Sequence, residues 1–136
     1  MARCYSDVAT FGDPVFPSLD AEGARAMWRM FCTGGNEIEV SFHDVKAGDE
    51  RGTARWEARY RFPKTARAVH NEITASFEFA NGLIVRHRDE FDLYKWTRMA
   101  LGLPGLLLGW TPIVKGQVRA QADAQLRRFQ EQEPAE

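Results

Sequence analysis

A histidine and an aspartate one residue apart, in His87-Arg88-Asp89, form the most chemically capable pairing in the chain. In an extended segment alternate side chains project to the same side, so this imidazole and carboxylate share one face. Polar and ionisable groups on an apolar face are costly unless they are hydrogen-bonded or paired. Asn71 falls on the same face of a neighbouring segment, between Val69 and Ile73, and Trp56 and Tyr60 do so on a third. An imidazole, a carboxylate and an amide walled by aromatic rings can move protons on a small, mostly apolar molecule. The competing reading is a His–Asp pair that satisfies itself inside a core, or a bulge that turns it outward. Asp92 follows three residues after Asp89, and the alternation leaves its direction open.

Other chemistries have less to work with. His87, Asp89 and Asp92 lack a second histidine on their face, so no metal site is expected. His43 and His70 fall on the polar face and read as solvated. Arg55, Arg59 and Arg61 face Glu72, Glu78 and Glu90 across the pattern, which predicts cross-strand ion pairs rather than an anion site. Neither a phosphate-binding glycine loop nor a Gly-x-Ser-x-Gly elbow occurs, and no cofactor is expected.

The elements that must position these residues follow from periodicity. Asp20 is a candidate N-cap for a helix from about Glu22 to Thr33, with Ala24, Met27, Trp28 and Phe31 as its apolar stripe and Gly34-Gly35 as its stop. Four segments with a period of two come next, about 38–43, 55–62, 69–79 and 84–91, with Val85, His87, Asp89 and Phe91 inward on the last. Asn81-Gly82 predicts a tight hairpin between the last two. A short helix over 96–101 and a longer one over about 114–130, striped by Val118, Ala122, Leu126 and Phe129, complete the chain. Helix, four-stranded meander, then helices is an α+β order, because hairpins stand where crossover helices would be.

Composition bounds the partners. The 136 residues suit one domain, 1–136, with 113–131 as a helical extension. A net charge of −1, near neutral in both halves, excludes a globally basic nucleic-acid binder. Cys4 and Cys32 cannot make a disulfide framework, and without a leader pattern the expected compartment is the cytoplasm. The apolar run Ala100–Trp110 falls short of the roughly 20 residues of a membrane span and is broken by Gly102, Pro104, Gly105 and Gly109, so no membrane partner is expected.

Two stretches carry a resemblance to the nuclear transport factor 2-like superfamily. "CYSDVATFGDPVF", Cys4 to Phe16, resembles the part of ketosteroid isomerases that reads as a residual helix, an acidic turn and Asp-Pro-Val. The matching aspartate there is the general base, which implies that role for Asp13. "NGLIVRHRDEFDLYKWTRMALG", Asn81 to Gly102, resembles the last strand of SnoaL-like polyketide cyclases, where His-x-Asp-x-x-Asp recurs and an aspartate is the acid/base. Asp89 and Asp92 match those two aspartates. The resemblance implies a cone, a strongly curved antiparallel sheet wrapped around helices with a pocket at the open end. It also marks departures. The superfamily's first helix has no counterpart before Tyr5, and Ala75 stands where ketosteroid isomerases carry a second catalytic acid. The C-terminal helix, or a partner subunit, is then expected to cover the surface of the first helix.

Two functions are open. In one, the protein is an isomerase or aldol-type cyclase of an apolar carbonyl compound. Asp13 or Asp89 is then the base, His87 the donor to the enolate oxygen, Asn71 its support, and Trp28, Trp56 and Tyr60 the wall. In the other, it is a non-catalytic ligand-binding or assembly module, with Leu103 to Trp110 buried in a homodimer.

Overall fold

The structure, a computed structural model, describes residues 1–33 and 37–133. The expected helix stop at Gly34-Gly35 lies outside them. After a single 3₁₀ turn, Ala2–Cys4, come β1 (Tyr5–Gly12), β2 (Leu19–Asp20), α1 (Ala21–Thr33), β3 (Glu39–Ala47), β4 (Arg51–Arg61), β5 (Ala68–Ala80), β6 (Leu83–Glu90), α2 (Leu93–Leu101), α3 (Leu103–Leu108) and α4 (Pro112–Gln132). The strands form one curved, unclosed sheet in the order β2-β1-β6-β5-β4-β3. The class is α+β, as the alternation predicted.

The meander β3-β4-β5-β6 is antiparallel throughout. Asn81 and Gly82 both hold positive φ, 53° and 77°, which a tight β5–β6 turn requires and which these two residue types tolerate best. The expected residual helix at Tyr5 is instead β1, and it runs parallel to β6. Its core-facing residues are Tyr5, Ala9 and Phe11. A register irregularity between Tyr5 and Thr10 breaks their alternation, so no clean period of two shows. A second shift, between Glu78 and Phe79 where β5 meets β6, brings Ile84 rather than Val85 into the core.

Capping fixes the helix starts. Asp20 Oδ1 accepts from the Gly23 amide at 2.8 Å, as expected. Thr111 does the same for α4, with Pro112 in its first turn. Two apolar clusters fill the concave side. One joins Tyr5, Ala9, Phe11, Phe16, Met27 and Ile84 with Leu126 of α4. The other joins Val69, Leu93, Trp96 and Ala100, with Val118 of α4 packed on it. The C-terminal helix thus crosses both, and it also meets α1. The predicted stripe on α1 holds for Ala24 and Met27, but Phe31 at the helix end is exposed. β3 is an edge strand, and its apolar residues Val40 and Phe42 face solvent, Phe42 being 74% exposed.

Candidate functional site

β6 carries His87 and Asp89 on the concave side, 2% and 3% exposed. Opposite them on β5 stand Phe77 and Ala75, and Phe11 of β1 is the parallel partner of His87. The imidazole is boxed by rings. Phe77 lies 4.3 Å from it, Phe11 meets it edge-on at 5.0 Å, and Trp28 stacks within 9° of parallel at 6.3 Å. Such a setting tolerates a polar ring only if both nitrogens are satisfied. They are: His87 Nδ1 meets Tyr5 Oη at 2.7 Å, and Nε2 meets Asp89 Oδ1 at 2.7 Å.

The protons along this chain can be placed. Trp28 Nε1 donates to Tyr5 Oη at 2.8 Å. Burial raises the Tyr5 pKa well above that of an ordinary phenol, so its O–H stays intact. With a neutral imidazole, that hydrogen goes to His87 Nδ1 and the ring hydrogen lies on Nε2, facing the Asp89 carboxylate. Trp56 Nε1 also donates to Asp89 Oδ1, at 3.4 Å. Asp89 Oδ2 takes no hydrogen bond from any described residue. No buried side-chain oxygen or nitrogen among the described residues lacks a partner, so Oδ2 is not fully sealed in.

Asp13 stands at the end of β1, in the tight turn before Phe16. Its Oδ1 accepts from the amides of Val15 and Phe16 at 2.7 and 2.6 Å. Burial is the largest influence on its acidity and raises the pKa to about 6. The two amide bonds oppose that, the negative charge of Asp89 adds to it, and His87 lowers it. Asp13 is therefore electrostatically within reach of the His87–Asp89 pair. It also raises the pKa of Tyr60 on β4, whose larger cause is burial. Tyr60 Oη accepts from Trp96 Nε1 at 2.7 Å, and its own hydrogen goes to no described residue.

The structure thus gathers Asp13, His87, Asp89, Trp28 and Trp56 around one end of the concave face, with Tyr60 near Asp13. Asn71 is buried on the same face but opposite Ala58, four residues along β5 from the partner of Asp89. At about 3.4 Å per residue that is roughly 14 Å away, beyond direct support of the His–Asp pair. Asp92 lies outside this group: it is exposed, and its Oδ1 accepts from Lys95 N at 3.1 Å as the N-cap of α2. Its spacing from Asp89 is that of a strand end meeting a helix start. Both nitrogens of His87, expected as hydrogen-bond donor to a substrate, are engaged in internal bonds here. Sequence reasoning missed Tyr5 and Trp96. Tyr5 carried a signal, its spacing from Ala9 and Phe11, which the β1 irregularity masked.

Elsewhere, two open surface hollows of about 530 and 460 Å³ border Arg55 and Thr74, and Arg51 and Glu78. Neither includes Asp13, His87 or Asp89. On the outer face of β4 and β5, the expected Arg–Glu pairs give way to His70 Nε2 against Glu57 Oε1 at 2.7 Å. Glu72 completes a cluster there whose ligand-type atoms lie within 4.8 Å of one another.

The profile of the SnoaL-like domain family matches residues 1–87, well over half of the sequence. The chain belongs to the SnoaL-like domain family. No curated protein matches it. Among solved structures, an LEH-like epoxide hydrolase from M. tuberculosis superposes with a TM-score of 0.59 at 21% identity, covering 79% of this chain and 80% of that one. A protein with a ketosteroid isomerase-like fold from Catenulispora acidiphila, in complex with trimethylamine, reaches 0.65 at 13% identity over 82% and 84%. A candidate SnoaL-like polyketide cyclase from Jannaschia sp. CCS1 reaches 0.64 at 14% over 75% and 76%. At these identities the likeness establishes the fold, which is nuclear transport factor 2-like.

Proposed function

We propose that this SnoaL-like protein binds a small apolar carbonyl compound in the concavity of its sheet and transfers a proton on it, as an isomerase or cyclase. Asp13 is the base. A carboxylate of ordinary pKa is a weak base at neutral pH, whereas one raised to about 6 is ionised there and still accepts a proton readily. The observation that carries the reading is geometric: Asp13 is held through Oδ1 by the Val15 and Phe16 amides, with Oδ2 free of any described partner, and the raised pKa agrees with it. Asp13 takes a proton from the carbon beside the carbonyl, and the electron pair moves onto the carbonyl oxygen. Tyr60, kept protonated by burial and polarised by Trp96, donates its free O–H to that oxygen. Return of the proton from Asp13 to another carbon completes an isomerisation. For a cyclisation the enolate carbon attacks a second carbonyl, whose π electrons move onto its oxygen, and that alkoxide takes the proton back from Asp13. Burial keeps Asp13 basic, the negative charge of Asp89, held by His87 and Trp56, adds to it, and Trp28 and Trp56 form the apolar wall.

The whole chain, 1–136, is read as one domain, because α4 contributes to both apolar clusters. A second reading, ligand binding without turnover, is favoured by one observation: His87, the obvious proton carrier, is fully committed to internal bonds.

The test is solvent-deuterium exchange beside the carbonyl across a panel of small apolar ketones and diketones. The catalytic reading predicts exchange above the buffer rate for at least one compound, falling about 10²- to 10⁴-fold in Asp13→Asn. Compounds that bind but exchange only at the buffer rate would establish the binding reading instead.

A further inference from the structure

α3 and the turn behind it are built inside out. Gly105 is buried, and a Cβ placed there would stand within 2.1 Å of the Thr97 carbonyl oxygen of α2. Gly109, one helical turn later, meets the Thr97 side chain as closely. The small residues therefore press against the protein while the large apolar ones point away. Leu103, Leu106, Leu107, Leu108, Trp110 and Ile113 are all exposed, Leu107 by 60% and Trp110 by 63%. A helix serving only this fold would turn its leucines inward. The arrangement is also fixed in place: Tyr94 Oη donates to the Leu106 carbonyl at 2.7 Å, and Trp110 Nε1 to that of Leu107 at 3.0 Å.

Charge chooses the occupant. From Leu93 to Ala122 the chain carries Lys95, Arg98, Lys115 and Arg119 and no aspartate or glutamate. Arg67 adds a guanidinium at the start of α3, bonded to the Met99 carbonyl and lying against Gly102. A second copy of the chain, meeting this surface with its own, would set these cations against their equivalents. An anionic bilayer would set them against phosphates and carboxylates, with leucines and tryptophan at the depth such side chains favour.

We propose that α3 and its following turn dock the protein on an anionic membrane surface, the leucines and Trp110 entering the headgroup boundary and Lys95, Arg98 and Lys115 of the flanking helices α2 and α4 adding attraction to its anionic groups. No described helix is long and apolar enough to cross a membrane, so the contact is peripheral.

Co-sedimentation with sonicated vesicles tests this. With about 30% phosphatidylserine in phosphatidylcholine, the wild-type chain should pellet at least about tenfold more than with phosphatidylcholine alone, and less at high salt. Leu107→Glu and Trp110→Glu, both at exposed positions, should each lose most of that binding while keeping the wild-type circular dichroism spectrum. Absence of pelleting, or pelleting unchanged in both variants, overturns the proposal. So does a wild-type dimer in sedimentation velocity that Leu107→Glu makes monomeric without any vesicle binding, which assigns the surface to a second copy.

Discussion

Tyr5 holds the site together in a way its position in the sequence conceals. One hydroxyl accepts from Trp28, donates to His87 Nδ1, and so fixes which nitrogen of His87 faces Asp89. Tyr5→Phe keeps the ring but leaves a buried indole N–H and a buried imidazole nitrogen without partners. We expect a loss of about 1–3 kcal/mol, measured by urea unfolding, with the fold retained. A neutral result would mean that the hydroxyl is not the hub. At this scale the sequence was legible where alternation was regular. His87 and Asp89 share the inward face because β6 keeps its period from Arg86 to Glu90, and Trp56 obeys the same logic on β4. Asp92 was not legible, because a period of two says nothing once the strand ends, and beyond Glu90 the chain turns to cap a helix. Nor was the saturation of His87, since its partner Tyr5 lies 82 residues away in sequence.

At the scale of elements, regular pairing was readable and irregular pairing was not. β4 and β5 pair without a break from Arg51 to Arg61, and their pattern declared them. β1 contains a register shift, and its resemblance to a residual helix offered a plausible wrong answer. The inward residue near the start of β6 changed from Val85 to Ile84 for a similar reason. α3 shows the opposite case, where composition declared an unusual segment but only packing shows which side faces in. Its seat on α2 depends on Gly105. Gly105→Ala should gain about 1 kcal/mol of helix propensity yet destabilise overall by about 1–3 kcal/mol, because the colliding atoms are backbone. Faster amide exchange over residues 103–111 and a lower Tm are then expected. An unchanged or raised Tm would contradict that packing.

At the scale of the whole molecule, the fold creates the chemistry it is proposed to perform. A curved sheet, α1 against β1, and α4 across both apolar clusters together bury a carboxylate that a short turn in solution would leave acidic. The class and the inward face could be read from alternation. The half-buried setting of Asp13 could not, because it depends on the end of β1 and the turn to Phe16 folding back on it. That burial links acidity to stability. Because the folded protein holds Asp13 at a pKa of about 6, above the ordinary 3.8, it binds the proton more tightly than the unfolded chain does. This contribution to stability is complete below about pH 4 and is lost as pH rises through about 6. Asp13→Asn keeps an oxygen for the Val15 and Phe16 amides and should remove that loss. The most direct measurement is a ¹³C NMR titration of the Asp13 side-chain carboxyl in the folded protein. A half-buried general base at this position should titrate with a midpoint of about 6. A midpoint at or below the ordinary value of 3.8 would contradict that role and leave the site without its base.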